Sequence, residues 1–264
     1  MLEALIRREN AVVAGALFAL IILAWLALLA GAGTGMSVTA MSGWWLPMSL
    51  PAGESWPWNA YYWAIAFVMW AVMMVAMMLP SAAPMILLYA RVVRQADAQA
   101  DTVEAPSCIA AFAGGYLTLW ILFSVLAVVL QFALERAGLM TIMMNSRSAT
   151  LSGALLISAG VYQLTPLKSA CLKHCRSPAT YLAEHWRPGT AGASRMGLEH
   201  GAYCVGCCAL LMLLLFVGGV MNLIWIAGLS LFVALEKLAP FGVGLAGALS
   251  IILIAGGAAL IIAA

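Results

Sequence analysis

The sequence predicts an all-α fold, a polytopic bundle of transmembrane helices with about seven spans. Three observations carry this. Hydrophobic residues make up 65% of the chain and charged residues only 8%, where a soluble domain carries about 25% charge. Mean hydropathy is +1.04. Apolar runs long enough to cross a bilayer recur along the chain. So few acids and bases cannot coat the water-facing surface of 264 residues, so the lipid bilayer is the expected partner. The formal charge of +2, without a basic run, argues against nucleic acid. Residues 1–264 read as a single integral membrane domain.

The first run, Ala11–Ala30, follows Arg7 and Arg8 and has no clear cleavage site, so it reads as a retained signal anchor. The second, Tyr61–Tyr89, carries Met69, Met73 and Met77 on one helical row and Met74 and Met78 on the next. Packing is the simpler role for these thioethers. Met73, Met77 and Met78 are also candidates for handing on a soft metal. Pro80 and Pro84 should bend this helix and free carbonyls.

The later runs are Ala110–Leu134, Ala149–Leu164, Ala202–Val220, Leu223–Leu238 and Leu245–Ile262. Thr165-Pro166 is expected to kink the fourth rather than end it, letting the helix run on toward Cys175. Gly218 and Gly219 make the fifth and sixth a tight hairpin. If that hairpin is one re-entrant element, the spans number six.

Arg7, Arg8, Arg91, Arg94, Lys168, Lys173, Arg176, Arg187, Arg195 and Lys237 then fall on the side of the N-terminus, with only Arg136 and Arg147 opposite. By the positive-inside rule that side is cytoplasmic, and the C-terminus is periplasmic. The outer loop holds Trp44, Trp45, Trp56 and Trp58, expected along the headgroups. The external Met36, Met41, Met48, Met140, Met143 and Met144 follow no metal-binding repeat and are expected to pack at the interface.

Five of the six cysteines and all three histidines lie between Tyr162 and Cys208. Cys171 and Cys175 are four apart, and His200, Cys204 and Cys208 repeat at the same interval, with Cys207 three beyond Cys204. Helices therefore align them in stripes. The predicted metal ligands are Cys171, Cys175, His200, Cys204, Cys207 and Cys208, with His174 and Glu236 as secondary candidates. Residues 165–201 form the cytoplasmic Cys/His-bearing loop. Sulfur and imidazole in a reducing compartment suit copper best, with zinc or an iron–sulfur cluster as alternatives. Lys168 and Lys173 are expected to favour thiolates. His185 is expected in solvent, and the lone Cys108 is expected to pack. Tyr162, Gln163 and Asn222 are expected to hydrogen-bond between helices. Glu236-Lys237 is either a self-neutralising pair at the boundary or a carboxylate lent to the metal.

Several motifs carry a resemblance. They are Met73-Met74-Val75-Ala76-Met77-Met78-Leu79-Pro80-Ser81, Gly114-Gly115-Tyr116 with Trp120, and Gly160-Val161-Tyr162-Gln163 through Pro166 and Lys168. Cys171, Cys175-Arg176-Ser177-Pro178, His200 through Cys208, Met221-Asn222 and Glu236-Lys237 continue it. Together they resemble a bacterial family of predicted metal-binding integral membrane proteins of unknown function, over the second to sixth spans. The resemblance implies a multi-pass protein of the bacterial inner membrane that binds metal.

Transport of copper, or its delivery to a metalloprotein, is the leading functional expectation. An accessory subunit of a larger membrane complex and a thiol–disulfide oxidoreductase using Cys204 and Cys207 are the alternatives. No nucleophile–base triad, nucleotide loop or cofactor motif demands an enzyme.

Overall fold

A computed structural model describes residues 2–42, 58–100, 104–141 and 144–263. Among the described residues eleven helices follow one another: α1 (Leu2–Leu29), α2 (Val38–Met41), α3 (Ala60–Ala100), α4 (Ala105–Arg136), α5 (Ala149–Gln163), α6 (Pro166–Arg176), α7 (Pro178–His185), α8 (Gly189–Leu213), α9 (Leu215–Gly218), α10 (Leu223–Leu238) and α11 (Gly242–Ile262). Among the described residues there is no strand, only an isolated bridge between Met140 and Ser146. The fold is the expected all-α bundle.

Among the described residues, five segments are long and apolar enough to cross a membrane: Ala11–Leu29, Ala60–Ala98, Ala105–Arg136, Gly189–Gly218 and Gly242–Ile262. The fourth and sixth apolar runs become α5, of 15 residues, and α10, of 16. Both are shorter than the roughly 20 residues a perpendicular crossing needs. Trp44, Trp45, Trp56, Met48 and Met143 lie outside the described residues. Trp58 does not lie in open solvent; it packs against Tyr62, Trp63 and Phe132 at the start of α3.

Two helix pairs approach closely because glycine permits it. A Cβ at Gly115 of α4 would sit 2.3 Å from the Ser194 carbonyl of α8, and one at Gly197 would sit 2.1 Å from the Phe112 carbonyl. Across α5 and α11, Gly153 and Gly257 do the same, each 2.6 Å from the other's carbonyl oxygen. Small residues at a crossing let backbones meet where apolar solvent gives no other drive to pack. The α4–α8 crossing matters most for the site, since it brings Tyr116 onto the sulfur face of α8.

α3 stays one helix through Pro80 and Pro84. Carbonyls in the turn before Pro80 do find other donors: Met78 O accepts from Ser81 Oγ at 2.9 Å and Tyr116 OH at 3.2 Å, and Met77 O accepts from Ser230 Oγ at 3.4 Å. The methionine rows are fully buried, as packing predicts. Lone Cys108 is buried too.

Thr165-Pro166 ends α5 rather than kinking it. Thr165 is extended, its hydroxyl caps α6 by accepting from Lys168 N at 3.3 Å, and Pro166 opens α6, where a missing N–H costs nothing. The break frees α6 to lie across α8 at its own angle. Asn222 caps α10, accepting from Ile224 N at 3.0 Å and Trp225 N at 3.3 Å at its start. From there α10 runs back until Lys237 meets α8 at Cys204.

Candidate metal centre

The stripe on α8 is real and faces inward. His200, Cys204, Cys207 and Cys208 are all buried. Cys207 Sγ and Cys208 Sγ fold back on their own helix and donate to Cys204 O at 3.1 and 2.8 Å. Cys175 of α6 joins them, hydrogen-bonded to the sulfurs of Cys204 and Cys207; those bonds hold its thiol well above the ordinary range. Met78 of α3 closes the group, its Sδ 3.8 Å from Cys208 Sγ. Three helices separated in sequence thus bring four cysteines and a thioether into one nest.

Cys204 Sγ has as hydrogen-bonding neighbours the Lys237 ammonium, which donates to it, and the Tyr116 hydroxyl, which itself donates to Met78 O. Lys237 Nζ lies 2.9 Å away and Tyr116 OH 3.2 Å away. The same ammonium reaches Ser81 Oγ at 3.3 Å and Cys208 Sγ at 4.0 Å. Lys237 is only 4% exposed, so its charge is taken out of water and held by sulfur. The ammonium stands where sulfur donors would otherwise surround a metal cation. Consistently, among the described residues no three His, Cys, Asp or Glu side chains are arranged to hold a metal ion as they stand. The donor types nevertheless fit a soft ion: four thiol groups and a thioether, in a dry setting.

Not every predicted ligand is equally placed. Cys171 sits at the edge of the nest, half-buried, against Gly206; a Cβ there would come within 2.9 Å of its sulfur. Burial raises the Cys171 thiol. Tyr162 reaches across from α5 to donate to Gly206 O, as an interhelical bond should. His200 lies one turn before Cys204 within an aromatic cage of Phe112, Tyr116 and Tyr181, at centroid distances of 6.3, 5.8 and 5.4 Å. Its Nδ1 is buried and has no hydrogen-bond partner. Met73 and Met77 are core residues of α3. His174 stacks flat on Tyr203 at 4.0 Å, and His185 stacks on Tyr181 at 4.6 Å, so neither histidine is simply solvated.

Three expectations need correcting. Glu236 and Lys237 do not neutralise each other at a boundary. Consecutive residues on a helix point about 100° apart, and here Lys237 turns to the sulfurs while Glu236 pairs with Lys168. Lys168 and Lys173 therefore do not supply the positive charge beside the thiols; Lys237 does. Gln163, expected to bridge helices, has no partner for either amide atom. Sequence reasoning also missed Tyr116 and Ser81 as site residues. Both stand in motifs that had been noticed, Gly114-Gly115-Tyr116 and Pro80-Ser81, but nothing in their spacing aims them at α8.

A protein-family model described as PpoB2, copper chaperone, matches residues 67–260 of the chain. That span runs from the methionine rows of α3 to the last turns of α11. No curated protein and no solved structure matches the chain.

Proposed function

The chain belongs to the PpoB2 copper chaperone family, and from that premise we propose that it is an integral membrane protein that carries Cu(I). Cys175, Cys204, Cys207 and Cys208 are the proposed ligands, with Met78 beside them. Cys171, half-buried against Gly206, and His200, one turn before Cys204, flank the nest as further candidates. The basic residues would place this nest toward the cytoplasm of a bacterial inner membrane. Delivery to a metalloprotein is the activity proposed; transport across the bilayer is the form it takes if α3 passes the ion along its methionines.

The observation that supports this most directly is the convergence on Cys204. Soft donors from α3, α6 and α8 meet there around an ammonium that belongs to the chain itself. An ion that takes the sulfurs must displace Lys237, and thiols that ligate it must give up their protons. Cu(I) is the ion for which low-coordinate thiolate and thioether sites are best suited. His200 Nδ1, buried without a partner, is a donor position that a ligand can satisfy.

Anaerobic titration of the purified chain with Cu(I), read against a chromophoric competitor, tests this. We expect tight binding in the wild type and a loss of at least about tenfold in Cys204→Ser and in Cys207→Ser. Equal binding by both variants overturns the assignment. Tighter retention of zinc than copper overturns the choice of ion.

A further inference from the structure

α6 has a second face. Its Cys171 and Cys175 point to α8, while Lys168, Leu172 and Arg176, a row at helical spacing, border a cleft of about 530 Å³ shared with the end of α5, the end of α10 and the start of α11. Arg176 is fixed there by donating to the carbonyls of Glu236 and, at 2.9 Å, Ala239. Lys168, Lys173 and Arg176 give the cleft three positive charges against the single carboxylate of Glu236. The excess favours an anion.

The cleft also holds polar atoms that lack partners. Glu236 is fully buried, and only one of its carboxylate oxygens is taken by Lys168; Oε2 has none. Gln163 is 7% exposed, and neither its amide oxygen nor its amide nitrogen is hydrogen-bonded. Buried polar atoms left in this state cost stability and mark a missing partner. Two acceptors, Glu236 Oε2 and Gln163 Oε1, call for hydroxyl donors, and Gln163 Nε2 calls for an acceptor. At the mouth, Leu164 and Val243 are 61% and 64% exposed, a greasy lip beside the charged floor.

We propose that this cleft binds an anionic phosphodiester that carries free hydroxyls, the headgroup chemistry of phosphatidylglycerol. The phosphate meets Lys173 and Arg176, the glycerol hydroxyls donate to Glu236 and Gln163, and the acyl chains leave over Leu164 and Val243. Basic recesses between helices on the cytoplasmic side of a membrane are a recurrent form of lipid site. The inference rests on the membrane residence proposed above and is independent of the metal.

The test is lipid retention by the full chain, reconstituted in vesicles, extracted in detergent and weighed by native mass spectrometry. Vesicles of phosphatidylcholine are doped equally with phosphatidylglycerol, phosphatidylethanolamine and phosphatidylmethanol, the last anionic but without hydroxyls. We expect phosphatidylglycerol to be retained about tenfold over the zwitterionic lipids and severalfold over phosphatidylmethanol, as charge-assisted and hydroxyl hydrogen bonds differ. Gly247→Leu fills the cleft from a position where a Cβ meets nothing within 4 Å, so folding is spared. It should abolish the preference, and Lys173→Ser, at an exposed position, should weaken it, with copper stoichiometry unchanged in both.

Equal retention of all lipids, or an undiminished preference in Gly247→Leu, overturns the site. If the chain floats with vesicles yet shows no preference, the site fails while the membrane reading stands. Soluble glycerophosphoglycerol is the second arm. Competition by it at the concentration that displaces the lipid identifies the free headgroup as a source; no competition assigns the site to lipid. A chain that neither floats nor binds glycerophosphoglycerol overturns both readings.

Discussion

The α3–α4 pair carries a polar cluster in each half, and the two are built on opposite plans. Toward the start of α3, Trp70 Nε1 donates to Gln131 Oε1 at 2.8 Å, Gln131 Nε2 donates to Glu135 Oε1 at 2.9 Å, and Trp58 Nε1 donates to Glu135 Oε2 at 2.8 Å. Each of these atoms has a partner, and the relay ties α3 to α4. In the other half, around Met78 and Tyr116, the Tyr116 hydroxyl meets the Cys204 sulfur and His200 beside it keeps its buried Nδ1 unbonded; in the cleft on the second face of α6, Gln163 and Glu236 likewise keep buried atoms unbonded. A completed network rigidifies; an incomplete one holds places open. The first half of the pair is scaffold, and the second is where ligands are to be sought.

Breaking the contrast at its strongest point means removing one partner of the Lys168–Glu236 pair. Both side chains are essentially buried, so Lys168→Met should cost about 3–5 kcal/mol. Adding Glu236→Leu to that background should restore much of the loss. Thermal unfolding in detergent reads both. The α4–α8 crossing comes next: Gly197→Ala forces its methyl against the Phe112 carbonyl and should cost about 1–3 kcal/mol, loosening copper as Tyr116 shifts.

Within the completed relay, Gln131→Leu strands Trp70 Nε1 and a Glu135 oxygen, at about 1–3 kcal/mol, while leaving copper stoichiometry as it was. His200→Phe is the counterpart. It removes a ring whose Nδ1 bonds to nothing, so stability should stay within about 1 kcal/mol of wild type, yet copper affinity should fall. A large stability loss there would make His200 a scaffold residue and erase the contrast. The smallest effect is on Cys175. Its hydrogen bond to Cys204 is the chief reason its thiol is held high, so alkylation near pH 8 should be slow in wild type and faster in Cys204→Ser, as followed by mass spectrometry.

The fold class and the sulfur stripe on α8 were legible because each depends on local periodicity. Apolar content fixes helices, and intervals of three and four fix a helical face. Cys175 joining Cys204, and Met78 closing the nest, followed from the same intervals once the helices met. Lys237 was not legible in this way. Its direction depends on where the last turn of α10 lands against α8, and a charged pair in sequence suggests mutual neutralisation before it suggests two separate partners. Tyr116 was hidden for the same reason, since a glycine crossing is visible as Gly115 and Gly197 only after the two helices are paired. The end of α5 at Thr165 turned on cap chemistry, where a hydroxyl before proline starts a new helix more readily than it bends an old one.

Arg176 grips the chain by the carbonyls of Glu236 and Ala239, which bracket Lys237. The backbone that carries the ammonium is therefore bolted down on both sides. Whatever evicts that ammonium from the sulfurs must swing the four-carbon stem, as a latch swings on a fixed hinge, and leave the helix in place. Under the proposed Cu(I) role the return stroke is equally local: once the ion is handed on, the stem swings back onto Cys204 without the bundle having to reassemble.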